Sequence, residues 1–388
     1  MEYPTTERQA ELMALADRLA ERFAARADAH DRDNTFPFEN FQDLREAGYL
    51  ALSVPAEFGG GGIDLLDLAL AQERLARGDG ATALAAAMHL TLLGRLGETR
   101  VWPEAAFARV CGDVVARGAL INSAHSEPEM GSPSRGALPS TTARRTADGW
   151  VLNGRKRWAS LAPALTHVVV LAAAEAVGGD EPPRRANFLV PGDAAGLRIE
   201  ETWDNLGMRA TASHDLVLAD VAVPDAALLP EGATTVPGEG KGWGPLVVSA
   251  VYLGIAGAAR NAAVAYARDR RPNGMAGPIA ELQTIQHRVA EIELLLLQAR
   301  SVLYGTAETW VRCPERRAAI EWQLAAAKYT ATNHAIRVTD LALRVVGANG
   351  LSRRLPLERY FRDVRSGLSQ PPMDDVALTA IGRAALGV

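Results

Sequence analysis

The run Trp150-Val151-Leu152-Asn153-Gly154-Arg155-Lys156-Arg157-Trp158-Ala159-Ser160 decides how this chain divides. Its opening residues are aromatic, β-branched and aliphatic, and Asn-Gly follows them, so the segment reads as a strand meeting a turn. The same character extends to both sides. Residues 167–172 are a short continuous apolar run, and Asn187-Phe188-Leu189-Val190-Pro191-Gly192 and residues 216–224 are further strand candidates that stop at Pro or Gly. No helical period separates them. Residues 119–236 are therefore expected to form an antiparallel, barrel-like β domain rather than a βαβ unit.

Outward from this centre both flanks turn helical. Residues 1–118 are rich in Ala, Leu, Glu and Arg, all strong helix formers. Leu12, Leu15, Leu19 and Phe23 recur at spacings of three and four, which lines one buried face. Pro37 and Gly59-Gly60-Gly61-Gly62 punctuate the block, the glycines as a turn or loop. In residues 237–388, Ile279, Leu282, Ile285, Val289, Ile292, Leu296, Ala299 and Leu303 trace a narrow seam suited to a bundle. Residues 316–346 contain neither Gly nor Pro and predict another long helix, stopped at Gly347 and Gly350. The fold class is α+β: an N-terminal helical domain (1–118), a middle β domain (119–236) and a C-terminal four-helix bundle (237–388).

At 388 residues the chain can bury a large core. Lys and Arg number 41 against 46 Asp and Glu, a net charge of -5 that argues against a dedicated nucleic-acid binder. Two cysteines, Cys111 and Cys313, cannot build a disulfide framework or a usual zinc site, and no Cys/His spacing suggests a metal. A cytoplasmic location is the expectation. The N-terminus is acidic and lacks the apolar centre of a signal peptide. The longest apolar stretch, residues 245–259, is interrupted by Ser249 and Gly254 and reads as too short to cross a bilayer.

Five local motifs fall in order along this α–β–α plan. They are Ser126-Glu127-Pro128-Glu129-Met130-Gly131-Ser132; Asn153-Gly154-Arg155-Lys156-Arg157-Trp158-Ala159-Ser160; Leu206-Gly207-Met208-Arg209 with Asp220-Val221-Ala222-Val223-Pro224; Gly347-Ala348-Asn349-Gly350; and Glu358-Arg359-Tyr360-Phe361-Arg362-Asp363. Each alone is weak. Together they resemble the acyl-CoA dehydrogenase superfamily over nearly the whole chain. The resemblance implies a bound flavin, FAD rather than FMN, although FMN is not excluded. Ser126, Gly131 and Ser132 would form the flavin loop. Trp158 would offer a flat face to the isoalloxazine, and the Ser160 hydroxyl would sit near flavin N5. Arg270, Gly347 and Gly350 would reach the FAD of a neighbouring subunit, which implies a homotetramer or homodimer.

The resemblance does not carry the family's usual reaction. Its dehydrogenases remove an α-proton from an acyl thioester with a Glu, in a segment that follows the Arg-Asp of the last motif. Here that segment is Gln370-Pro371-Pro372-Met373, and Pro371 stands at the base position. Proline accepts no proton. The family's second base location, near Gly244, also lacks a carboxylate, and Pro245 stands near the place of an Arg common in acyl-CoA oxidisers. Asp374 and Asp375 lie close in sequence but read as caps of the last helix.

A subgroup on the same fold fits better: the two-component (group D) flavin-dependent monooxygenases, of which dibenzothiophene monooxygenase is one. They take reduced flavin from a partner flavin reductase and act through a C4a-(hydro)peroxyflavin. Met88-His89, Asn122, Ser160 and Trp203-Asp204-Asn205-Leu206-Gly207-Met208-Arg209 match that subgroup. Its C-terminal His is Gln370 here, and Gln does not cycle a proton at neutral pH. His89, Asn122, Ser160 and Gln370 are thus the catalytic candidates, on a small-molecule substrate. Two alternatives stand beside this: an acyl-CoA or acyl-carrier-protein dehydrogenase with a displaced base, and a non-catalytic subunit of a hetero-oligomer. Of the other histidines, His125 adjoins the flavin loop, whereas His30, His167, His214, His287 and His334 read as structural.

Overall fold

The computed structural model describes residues 3–129, 138–175, 182–230 and 238–388. Five helices come first: α1 (Glu7–Asp33), α2 (Phe38–Glu46), α3 (Leu65–Ala76), α4 (Gly80–Thr99) and α5 (Glu104–Arg117). Their starts carry the expected chemistry. Thr6 accepts from Gln9 N at α1, Asp64 from Asp67 N at α3, and Asp79 from Ala81 and Thr82 N at α4, each satisfying amides that the first turn leaves unpaired.

The middle block holds β1 (Ile121–Ala124), β2 (Thr142–Thr146), β3 (Gly149–Ala159), β4 (His167–Ala174), β5 (Arg184–Pro191), β6 (Leu197–Glu200), β7 (His214–Val223) and β8 (Leu228–Leu229). They form one sheet ordered β6-β7-β3-β2-β4-β5-β8, with β1 paired to β4. The domain departs in two respects from the antiparallel one expected, with its turn at Asn153-Gly154. The sheet is mixed, because β1 and β2 both run parallel to β4. And β3 does not turn at Asn153-Gly154. It runs on to Ala159 past an irregularity in the β3–β7 register, where Asn153 exchanges hydrogen bonds with Asp220 on β7. Gly154 has φ +155, and a Cβ there would lie 2.4 Å from Thr141 Oγ1, so the glycine serves a close approach rather than a turn.

The C-terminal block holds α6 (Trp243–Asp269), α7 (Gln283–Arg312), α8 (Glu321–Val346), α9 (Leu357–Asp363) and α10 (Asp374–Leu386). Here the expectation of a short apolar stretch is corrected too. By length and composition alone, α6 could cross a membrane, but 78% of its apolar window is buried inside the protein. A helix apolar on all sides belongs at the centre of a core, and α6 packs against α3, α4, α7 and α8. The same core runs from Met13 and Leu19 through Leu68 and Leu90 to Leu253, Leu296 and Val338, so the two helical blocks share one interior. The β domain keeps its own, around Trp150, Leu152, Phe188 and Leu218.

Candidate functional site

Trp158, near the end of β3, is a large apolar side chain turned to solvent. It is 57% exposed. Its backbone sits at φ +57, a conformation that bulky residues adopt at a cost and that clusters at ligand sites. The cause is a bulge. Between Lys156↔Leu216 and Ala159↔His214, β3 carries one residue more than β7, and the extra residue turns the indole outward. The Arg157 guanidinium lies 4.9 Å from the ring centroid. An indole held out of the core by strained backbone is a stacking surface for a planar group.

Behind this platform lies a buried charge pair that the sequence reading passed over. Lys156 Nζ is 2.5 Å from Glu127 Oε1, and neither side chain is exposed. The Glu127 carboxylate also accepts from Ser140 N (2.5 Å) and Thr141 N (3.0 Å). Burial alone would raise its pKa; Lys156 and Thr141 outweigh that and hold the carboxyl below its ordinary range. Both residues stand inside the quoted motifs. The signal was their acid–base pairing across two segments. Arg157 N donates to Ser126 O (2.9 Å), a second tie between the same segments.

The catalytic candidates divide. Asn122 Nδ2 donates to Ser160 O (3.0 Å), and Asn122 Oδ1 accepts from Ser123 N (2.7 Å). The Ser160 hydroxyl, half-buried beside Trp158, lies 2.8 Å from Ser213 Oγ. His89 is corrected. It is fully buried, Nδ1 accepts from Ile121 N (3.1 Å) and Nε2 lies 2.9 Å from Leu50 O. Both ring nitrogens are spent on backbone, and with Nδ1 accepting, Nε2 carries the only proton. Burial, the largest effect, pushes its pKa down to about 4. His89 thus ties Leu50 to Ile121 at the start of β1, whose next residue, Asn122, donates to Ser160 O. Gln370 lies half-buried at the end of the turn Val364–Ser369, and no hydrogen bond joins it to this group among the described residues.

Of the cofactor candidates, Trp158 O accepts from Ser160 N (3.0 Å) and Ser126 O accepts from Arg157 N (2.9 Å), while Gly131 and Ser132 lie outside the described residues. Arg270 is exposed at the end of α6. Asn349 Nδ2 donates to Tyr266 Oη (2.6 Å), which ties the Gly347–Leu351 turn to that same end. Gly347 needs to be glycine, at φ +69 with open space beyond its Cα. Arg270, Gly347 and Gly350 thus gather at one end of the bundle, and among the described residues no hydrogen bond links them to Trp158.

Asp374 and Asp375 do not cap α10. Met373 holds that position, without a side-chain cap, and both carboxylates sit in the first turn, where the helix dipole favours them. Asp374 Oδ2 accepts from Asn333 Nδ2 (3.0 Å), and Oδ1 faces the buried Lys328 Nζ at 3.7 Å. His125 is the remaining histidine of interest: among the described residues its Nε2 is buried without a hydrogen-bond partner, and burial, then Lys156, Arg95 and Arg185, push its pKa down to about 4 against a hydrogen bond with Asn187. His167 pairs with Asp113 (2.8 Å).

Comparison with known proteins agrees with this layout. Residues 6–98, 122–221 and 240–385 match the models of the acyl-CoA dehydrogenase N-terminal, middle and C-terminal domains. The chain is 44% identical over 377 residues, 96% of each protein, to YdbM of Bacillus subtilis (strain 168), whose name assigns it provisionally to the acyl-CoA dehydrogenases. It is 31% identical over 346 residues to the mitochondrial short-chain specific acyl-CoA dehydrogenase of Rattus norvegicus, covering 86% of this chain and 79% of the other. It is 32% identical over 378 residues to the amino sugar nitrososynthase RubN8 of Streptomyces rubradiris, covering 93% and 86%. Among solved structures, KijD3 in complex with FMN and a dTDP-linked 3-amino-4-keto sugar superposes at TM-score 0.85, with 31% identity over 99% of this chain and 95% of that one. TdsC of Paenibacillus sp. A11-2, with FMN and indole, gives 0.85 and 25% over 97% of each.

Proposed function

The chain belongs to the acyl-CoA dehydrogenase family, and we propose that within it the protein is a monooxygenase that uses reduced flavin to oxygenate a small organic substrate. The observation that carries this reading is the missing base. Removing an α-proton needs a carboxylate within hydrogen-bond reach of the substrate. Pro371 stands where the family's dehydrogenases hold it, and the nearest carboxylate in sequence, Asp374, is engaged by Asn333 and faces Lys328. Oxygenation asks instead for a stacking surface, hydrogen-bonding groups and exclusion of water. Trp158, Ser160 and Asn122 supply the first two. RubN8, KijD3 and TdsC support the reading, and their names point to an amine or a heteroaromatic ring as the substrate class.

The residues fit a flavin. The exposed indole of Trp158 suits its ring system, and Ser160 offers a hydroxyl beside that surface. The bound flavin supplies the redox chemistry; the chain binds, orients and shields. In this reading His89 and Asn122 are supports that fix Ser160, and Gln370 is the remaining side chain proposed to face the substrate. Arg270, Gly347 and Gly350 would hold the far end of the cofactor of a second copy, which favours FAD in a homotetramer or homodimer. A flavin reductase would be the source of reduced flavin.

A second reading, an acyl-thioester dehydrogenase with a displaced base, draws support from the likeness to YdbM and to the short-chain enzyme. Titrating the oxidised-flavin protein with a panel of acyl-CoA thioesters, without oxygen, separates the two. The monooxygenase reading expects no bleaching of the flavin. Bleaching by any thioester establishes the second.

A further inference from the structure

Three hydroxyls stand in a row behind the platform. Ser160 Oγ is 2.8 Å from Ser213 Oγ, Ser213 Oγ is 2.8 Å from Thr211 Oγ1, and Thr211 Oγ1 is 2.9 Å from the Met208 carbonyl oxygen. Ser213 and Thr211 are buried; Ser160, at the open end, is not. Each hydroxyl has one proton to donate, so the row has a direction.

Among the described residues, one direction alone gives all three protons a protein acceptor. Ser160 donates to Ser213, Ser213 to Thr211, and Thr211 to the Met208 carbonyl. Ser160 then turns lone pairs outward and is an acceptor. In the opposite direction Thr211 donates to Ser213, Ser213 to Ser160, and the Ser160 proton points outward. Reversal gives up only the Thr211–Met208 bond. The carbonyl it leaves still accepts from Trp203 Nε1 (3.0 Å) and Thr211 N (3.1 Å), so no buried group is orphaned.

We infer that Ser160, Ser213 and Thr211 form a reversible donor–acceptor switch, in which Ser213 and Thr211 are positioning residues that set the hydrogen bond Ser160 offers to a redox-active ring nitrogen stacked beside Trp158. This rests on the flavin reading above. Such a nitrogen carries a lone pair when the ring is oxidised and a proton when it is reduced. The row meets both states, and its resting direction, with Ser160 as acceptor, matches the reduced one. The protein is therefore built to hold reduced flavin more tightly than oxidised flavin.

The test compares dissociation constants for oxidised FAD and, without oxygen, dithionite-reduced FAD. The proteins are wild type, Ser213→Ala, Thr211→Val and Thr211→Ser, with folding followed by circular dichroism. Wild type is expected to prefer the reduced form. Ser213→Ala should cut that preference about three- to tenfold, the worth of one hydrogen bond. Thr211→Val, nearly isosteric, should shift it the same way, and Thr211→Ser should leave it near wild type. A preference unchanged in both Ser213→Ala and Thr211→Val overturns the switch. A wild type that binds FAD in neither state overturns the flavin reading itself.

Discussion

The Lys156 ammonium and the Glu127 carboxylate meet at 2.5 Å with no exposure of either side chain. Glu127 also takes the Ser140 and Thr141 amides, so one carboxylate joins the start of β2 to the strand that carries Trp158. Lys156→Met would strand a buried carboxylate and should cost about 3–5 kcal/mol in urea unfolding. The double variant Glu127→Gln/Lys156→Met should lose less than the single one. A single variant as stable as the double would show that the pair is not coupled.

Trp158 touches solvent more than core. Trp158→Ala should therefore change unfolding free energy by no more than about 0.5 kcal/mol, the range of ordinary surface positions. Flavin affinity should fall about tenfold with the lost stacking. Isothermal titration and urea unfolding read the two effects separately. The opposite pattern, lost stability with intact affinity, would make the indole a packing element.

His89 should reveal its structural role in acid. Its pKa in the folded protein is about 4, below the unfolded value of about 6.5, because burial penalises the cation. The unfolded chain therefore binds the extra proton first. Stability from this group is present above pH 6.5 and drains away as pH falls toward 4. In His89→Gln the decline over that window should be shallower than in wild type, as followed by urea unfolding at stepped pH. Parallel curves would contradict the assignment.

Asp363 should act with the opposite sign. It is buried, accepts from Met208 N (2.6 Å) and is pushed up to about 7, chiefly by burial, with Arg359 and that amide pulling the other way. A carboxyl raised in the folded state stabilises fully below its unfolded pKa of about 3.9, and that contribution is lost as pH rises through 7. Asp363→Asn removes the titration. The difference in stability between Asp363→Asn and wild type should grow from pH 4 to pH 7.5, and a constant difference would refute the buried-acid account.

The architecture was legible because its signals are local. The seam from Ile285 to Leu303 is a period along one helix, and the stop at Gly347 is a backbone requirement at one residue. What the sequence hid depends on pairing across distance. Nothing local distinguishes Asn153-Gly154 in a hairpin from the same dipeptide opposite an irregular stretch of β7. Whether β1 and β2 run parallel to β4 is set by the order of strands in space. Residues 245–259 looked too short because Arg260 and Asn261 end the apolar run, although the helix continues through both to Asp269. At the candidate site, motif positions singled out Trp158, Asn122 and Ser160, which hydrogen bonds join to one another. They also promoted His89, whose meaning rests on two backbone partners, Leu50 and Ile121, that no sequence pattern reveals. Lys156, Glu127, Ser213 and Thr211 were passed over for the same reason.

The central claim is that this chain handles reduced flavin and oxygen. The direct test is to load the protein with reduced FAD, mix it rapidly with oxygenated buffer and record the full flavin spectrum on the millisecond scale. Reoxidation should pass through a transient spectrum that belongs to neither reduced nor oxidised flavin, and its decay should hasten when a reactive amine or heteroaromatic compound is present. A single-step return to oxidised flavin, at the rate of free flavin and indifferent to those compounds, would contradict the account.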